Sequence, residues 1–212
     1  MVGADQTLLR ALREFGVRDP AVLGAFSRVP REHFVPRDSV ATAQIDEPIR
    51  IGRGQVTTQP SLIGRMVEAL RLSASDRVLE IGTGFGYQTA ILAELGAEVH
   101  SIERFDDLAR TALASLGAAG YGEVEVVVGD GTLGDPEHAP FDGVIVSAAA
   151  LSVPEPLAEQ LADGGRLVMP IGPGGSEDVI AFARQGDRLR VVERLCRAFF
   201  VPLIGRHGLR DA

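Results

Sequence analysis

Apolar positions recur at two periods along this chain, and the change of period marks its organisation. Leu8, Leu9, Leu12 and Phe15 return at helical intervals and predict a helix over about residues 7–15. Asp19-Pro20 is a start signal for a second helix, which carries Val22, Leu23 and Phe26. A third helix begins near Pro60, where Leu62, Ile63, Met66, Val67 and Leu70 fall on one face. From Arg77 to Pro170 short strand-like runs alternate with helical stretches. Alternation of this kind predicts a parallel sheet with right-handed crossovers and helices on both faces. Beyond Gly172-Pro-Gly-Gly175 the pattern changes to strand-like runs at 179–183, 189–192 and 199–203, with Gly186-Asp187 as a hairpin turn between the first two. No repeat or low-complexity linker interrupts the chain, so the amino-terminal helices and carboxyl-terminal strands read as caps on one α/β domain.

Composition narrows the possibilities. At 212 residues and 45% hydrophobic content the chain can bury a sizeable core. Its apolar runs are broken well short of the ~20 residues that a membrane span needs, and Met1-Val-Gly-Ala-Asp5 lacks the basic start and apolar centre of a leader. A cytoplasmic location is expected. The single cysteine, Cys196, excludes an internal disulfide and reads as a small apolar strand residue. His33, His100, His138 and His207 are scattered without ligand spacing, so no metal site is expected. A formal charge of −8 argues against tight, sequence-independent binding of nucleic acid. The arginines at 28, 31, 37, 50 and 53 read as ordinary solvated charges.

The chemistry is concentrated in Arg77-Val-Leu-Glu-Ile-Gly-Thr-Gly-Phe-Gly-Tyr87, a buried strand running into a glycine turn. Gly82, Gly84 and Gly86 let the backbone approach a ligand at the carboxyl end of that strand, and the following helix starts there. Glu103 closes the next apolar run, where a carboxylate can accept hydrogen bonds from both ribose hydroxyls of a nucleoside. The glycines run G-x-G-x-G, and no basic cluster stands ready for a pyrophosphate, which favours S-adenosylmethionine over NAD. A third run at 124–128 ends in Gly129-Asp130-Gly131, whose acidic side chain is placed to meet an adenine amino group. A fourth, at 141–146, closes the cofactor side of the sheet.

The flanks carry a more specific resemblance. Val29-Pro-Arg-Glu-His-Phe-Val-Pro36, Gly54-Gln55-x-x-x-Gln59-Pro60, the glycine turn, Ser101-Ile-Glu-Arg104, Ala139-Pro-Phe-Asp142, Gly164-Gly-Arg-Leu167 and Phe200-Val-Pro-Leu203 together resemble protein-L-isoaspartate O-methyltransferases, from about Leu8 to Gly208. The resemblance implies a Rossmann-like S-adenosylmethionine-dependent methyltransferase fold. Residues 1–75 then hold the amino-terminal helices and substrate loop, 76–172 the cofactor-binding core and 173–212 the carboxyl-terminal strands. It also implies methyl transfer to the α-carboxyl of L-isoaspartyl residues in damaged proteins or peptides.

Residue by residue, the resemblance places Thr58 where the family carries a serine hydroxyl that orients the substrate carboxylate. It carries cofactor contacts to Gln59, Ser61, Gly82, Thr83, Gly84, Gly86, Glu103, Asp130 and Gly131. The family's terminal strand, which pairs with the peptide backbone, maps to Ala198-Phe-Phe-Val-Pro202. Val56, Thr57, Thr58 and Phe85 depart from the usual residues, and the usual aromatic before Gly54-Gln55 is missing. Other readings stay open: a relative that esterifies a normal aspartate in one dedicated peptide, a methyltransferase for a small molecule or RNA, and a non-catalytic cofactor-binding adaptor.

Overall fold

The computed structural model describes residues 6–210; the Met1–Asp5 stretch read for a leader lies outside them. Helices α1 (Gln6–Glu14) and α2 (Pro20–Arg28) bury Leu8, Leu9 and Leu12 and Val22, Ala25 and Phe26, respectively. Asp19 starts α2 by accepting the Ala21 N–H at 2.7 Å, with Pro20 at the first helical position. Phe15 falls just past α1 and is partly exposed, because the chain turns at Gly16. Two 3-10 turns, at Arg31–Phe34 and Arg37–Thr42, lead to a small hairpin of β1 (Arg50–Gly52) and β2 (Gln55–Val56) that periodicity did not predict. Helix α3 (Pro60–Leu70) follows, with its apolar face buried as expected.

The strand and helix alternation is then seen as β3 (Arg77–Ile81), α4 (Tyr87–Glu94), β4 (Glu98–Glu103), α5 (Asp106–Ala119), β5 (Glu125–Val128), β6 (Phe141–Val146), α6 (Glu155–Glu159) and β7 (Leu161–Ile171). Strands β8 (Glu177–Gln185) and β9 (Arg188–Ala198) complete one seven-stranded sheet in the order β5-β4-β3-β6-β7-β8-β9. The first five are parallel and the last two antiparallel, joined through the predicted turn at Gly186-Asp187. Apolar layers cover both faces, one built around Phe26, Met66, Ile91 and Ile145, the other around Leu79, Phe141, Val144 and Leu167.

One expectation needs correction. Residues 199–203 do not form a strand of the sheet: β9 ends at Ala198, and beyond it a single bridge joins Pro202 to Ala149. Pro202 has no N–H to extend a ladder, so only its neighbours pair, through Ala149 N–H to Val201 O at 2.8 Å and Leu203 N–H to Ala149 O at 2.7 Å.

Candidate active site

Strand order reverses between β3 and β6, with β4 and β5 to one side and β7 to β9 to the other. Parallel sheets open a crevice at such a switch point, outside the carboxyl ends of the strands. Here it is a cleft of about 840 Å³ walled by the Gly82–Phe85 turn, by Glu103 at the end of β4 and by Ser147 just after β6. Gly84 has φ +58°, and a Cβ there would come within 3.2 Å of Ile51, so glycine keeps the turn low and the floor open.

Glu103 is 5% exposed, and what it shows faces the cleft. Its Oε2 accepts the Gly84 N–H at 2.9 Å and its Oε1 the Phe105 N–H at 3.1 Å. Burial raises its pKa above the ordinary carboxylate range, against the pull of those N–H groups. The Arg104 N–H also donates to this carboxylate, so of its four lone pairs one remains for a ligand's hydroxyl. Beneath the turn lies Glu80, fully buried, with its pKa pushed up to about 7 by desolvation. The opposing pull comes from Ser101 Oγ at 2.6 Å, Thr89 Oγ1 at 2.5 Å and Gln88 Nε2 at 2.9 Å, all of which donate to it. Gln88 Nε2 also donates to Ser147 Oγ at 3.1 Å, leaving the Ser147 proton to point elsewhere.

A second cavity of about 800 Å³ lies against Phe199, Phe200 and Val201, with Pro48 and Gln59 among its other walls. Val56, Thr57, Thr58, Ser147 and Val201 line both cavities, so these residues form the neck between them. Phe199 is 78% exposed at the mouth, an aromatic surface that a ligand can cover. Glu177, itself buried, accepts the Phe200 N–H at 3.0 Å and fixes that wall.

The other wall is fastened by Arg31. It is 1% exposed, contrary to its reading as a solvated charge, and donates to the carbonyls of Ala43 (2.9 Å), Ile45 (2.8 Å) and Glu47 (2.9 Å) and to Thr57 Oγ1 (3.1 Å). Thr57 Oγ1 also accepts the Ile49 N–H at 3.0 Å, so its hydroxyl is occupied by the loop, whereas the Thr58 hydroxyl makes no hydrogen bond among the described residues. The loop held by Arg31 carries Asp46, which caps α3 by accepting the Ser61 N–H and Gln59 Nε2, each at 2.8 Å.

These features coincide with a known family. A family model described as protein-L-isoaspartate(D-aspartate) O-methyltransferase matches residues 3–208. The chain belongs to that family. A protein-L-isoaspartate O-methyltransferase 2 of Pelobacter propionicus is 50% identical over 194 residues, covering 91% of this chain and 86% of the relative. A solved protein-L-isoaspartate O-methyltransferase matches with a TM-score of 0.83 at 28% identity, covering 96% of this chain and 67% of its own. A solved relative from Plasmodium falciparum, in complex with S-adenosyl-L-homocysteine, has a TM-score of 0.79 at 22% identity, with coverages of 93% and 97%. It supports the fold.

Within this protein-L-isoaspartate methyltransferase framework, the sequence-predicted residues separate. Thr58, Gly82, Thr83, Gly84, Glu103 and Gly131 line the first cleft. Gln59 lines the second cavity, and Ser61 is fully buried in the α3 cap, where its Oγ meets Gln59 Nε2 at 2.9 Å. Gly86 has φ +92°, and a Cβ there would meet Leu116 at 3.2 Å, so it serves the packing of α4 on α5. The Asp130 side chain does not line the cleft. Its Oδ1 accepts the Thr132 N–H and hydroxyl, at 2.9 and 2.7 Å, and its Oδ2 the Arg206 N–H at 2.7 Å, so it fastens the carboxyl-terminal segment. Ser147, Gln88 and Glu80 escaped the sequence reading, in which Arg31 is only a solvated charge. Only Ser147 had a usable signal, its place just past a central parallel strand.

Proposed function

We propose that the chain is an S-adenosylmethionine-dependent carboxyl O-methyltransferase acting on L-isoaspartyl residues of damaged proteins or peptides. The observation that carries this reading is the pair of cavities meeting at Thr58 and Ser147, one suited to a nucleoside and the other open to a peptide. The residues present fit the cofactor: a buried carboxylate with a spare lone pair faces a largely apolar cleft under a glycine turn, where Arg104 is the one basic residue of the wall among the described residues, too few for a pyrophosphate cradle. When bound, S-adenosylmethionine supplies an electrophilic methyl group. Glu103 would hold the ribose by accepting from a hydroxyl, and the Gly82–Phe85 turn would wall the ligand. Asp130 acts through the segment it fastens.

On the other side of the neck, an isoaspartyl α-carboxylate is already ionised near neutral pH and needs no strong base. What it needs is orientation and the exclusion of water. The Thr58 hydroxyl, and that of Ser147 with its lone pair occupied by Gln88, would donate to one carboxylate oxygen and leave the other free to attack. Peptide backbone packs along residues 198–202, where main-chain contacts admit many sequences. The methyl ester so formed collapses to a succinimide with loss of methanol. A cytoplasmic location goes with this reading, since the methyl donor is made there. Incubation with labelled S-adenosylmethionine and an isoaspartyl peptide should yield base-labile label released as methanol; label that stays bound in mild base would contradict a carboxyl ester.

A further inference from the structure

We propose a transition-metal site at the opposite side of the sheet, built from His100, Glu125 and His138, which takes a zinc-class divalent cation. His100 lies in β4 and is in register with Glu125, the first residue of β5; His138 precedes β6 and stacks on His100 with ring centroids 4.3 Å apart. One ligand atom from each of the three lies within 4.8 Å of the others. Far apart in sequence, the two histidines show no ligand spacing; the fold alone brings them together.

The hydrogen bonding of the rings argues for a ligand. His138 Nδ1 lies 2.8 Å from Asp135 Oδ2, which sets that nitrogen as the donor and leaves Nε2 as a lone-pair acceptor. His100 Nε2 lies 3.2 Å from Glu98 Oε1, while its buried Nδ1 makes no hydrogen bond and has Asp135 Oδ2 3.5 Å away; the side chain is only 9% exposed. His138 thus has one nitrogen backed by a carboxylate and the other left for coordination, the arrangement that orients metal-binding histidines, and Asp135 Oδ2 stands close to both rings. A buried ring nitrogen that makes no hydrogen bond is costly, and a ligand at His100 Nδ1 would remove that cost. Tetrahedral coordination at about 2.0–2.1 Å sets ligand atoms roughly 3.4 Å apart, so the group must close by roughly 1.4 Å from its outer limit. Glu125 is exposed and the His138 side chain 42% exposed, so both have room to rotate inward. Two imidazoles and a carboxylate favour zinc or its neighbours over magnesium or calcium.

The position separates this site from methyl transfer. His100 stands three residues before Glu103, about 10 Å back along β4, and side-chain alternation puts the two on opposite faces of the sheet. A bound ion would tie the edge strand β5 and the loop before β6 to the sheet, and the inference is independent of the proposed substrate.

The test is calorimetric titration of the chelator-treated full chain with zinc chloride, with thermal melts in parallel. Variants His138→Gln and Glu125→Gln are compared with His207→Gln as a control remote from the cluster. One ion per chain is expected, weakened at least tenfold by either cluster variant and unchanged by the control. Zinc should raise the melting temperature of the parent chain more than that of the variants. Unchanged binding of S-adenosyl-L-homocysteine in each variant would establish that it is folded. Absence of saturable one-to-one binding to the parent chain, or equal binding in the cluster variants, would overturn the proposal.

Discussion

Replacing Arg31 by methionine tests whether a buried cation holds the substrate wall. Four donated bonds are lost. Those to Ala43 O and Thr57 Oγ1 are buried, whereas those to Ile45 O and Glu47 O are partly buried and open to replacement by water. Hydrogen bonds from a charged group contribute about 1.5–3 kcal/mol each. Two buried ones, less the apolar packing that methionine restores, give a loss of about 3 kcal/mol. For a chain of this size that lowers the melting temperature by roughly 6–12 °C. The loop freed by the change carries Asp46 and leads to Thr58, so the peptide KM should rise at least tenfold. Affinity for S-adenosyl-L-homocysteine, which rests on the Glu103 side of the cleft, should change far less. Arg31→Lys retains the charge but cannot fork to four acceptors, and should recover only part of both losses. Thermal melts, cofactor calorimetry and peptide kinetics on the two variants suffice. A methionine variant with parental melting temperature and peptide KM would refute the reasoning.

Three further outcomes follow from the site. Glu103→Ala should weaken S-adenosyl-L-homocysteine binding by about 1–3 kcal/mol, or roughly 5- to 150-fold, by calorimetry; an unchanged affinity removes Glu103 from the ribose. Thr58→Val and Ser147→Ala should each lower kcat on an isoaspartyl peptide about tenfold or more, with cofactor affinity retained, and parental turnover in both would leave the carboxylate without its orienting donors. The third concerns Glu80, whose folded-state pKa stands at about 7 against 4.5 for the ordinary side chain. The folded chain therefore holds this proton more tightly than the unfolded chain, and raising pH from about 4.5 through 7 costs stability, by roughly 3 kcal/mol in total. Denaturant melts across that window should show a shallower pH dependence for Glu80→Gln; an identical dependence would mean that Glu80 does not titrate there.

What the sequence made legible was local. The Gly82–Gly86 turn and Glu103 sit where backbone freedom and strand ends put them, so the motif located the first cleft without tertiary knowledge. The order of strands and helices followed from period changes for the same reason. Burial of polar groups was not legible. Arg31 looks like any surface arginine until three carbonyls from a distant loop converge on it, and Glu80 reads as a strand residue until Thr89, Gln88 and Ser101 close over it. Apolar content predicted a strand at 199–203, but Pro202 lacks the donor that a ladder requires and the segment became a cavity wall. Asp130 shows the converse, a motif position whose side chain the carboxyl-terminal segment recruits.

Substrate choice at the neck is the centre of the functional reading, and Thr58 is where it is most exposed to test. The decisive measurement is methyl transfer from labelled S-adenosylmethionine to two peptides identical except for isoaspartate or aspartate at one position. Transfer to the isoaspartyl peptide alone is predicted. Transfer to the aspartyl peptide at a comparable rate, or to neither while S-adenosylmethionine is bound, would contradict it.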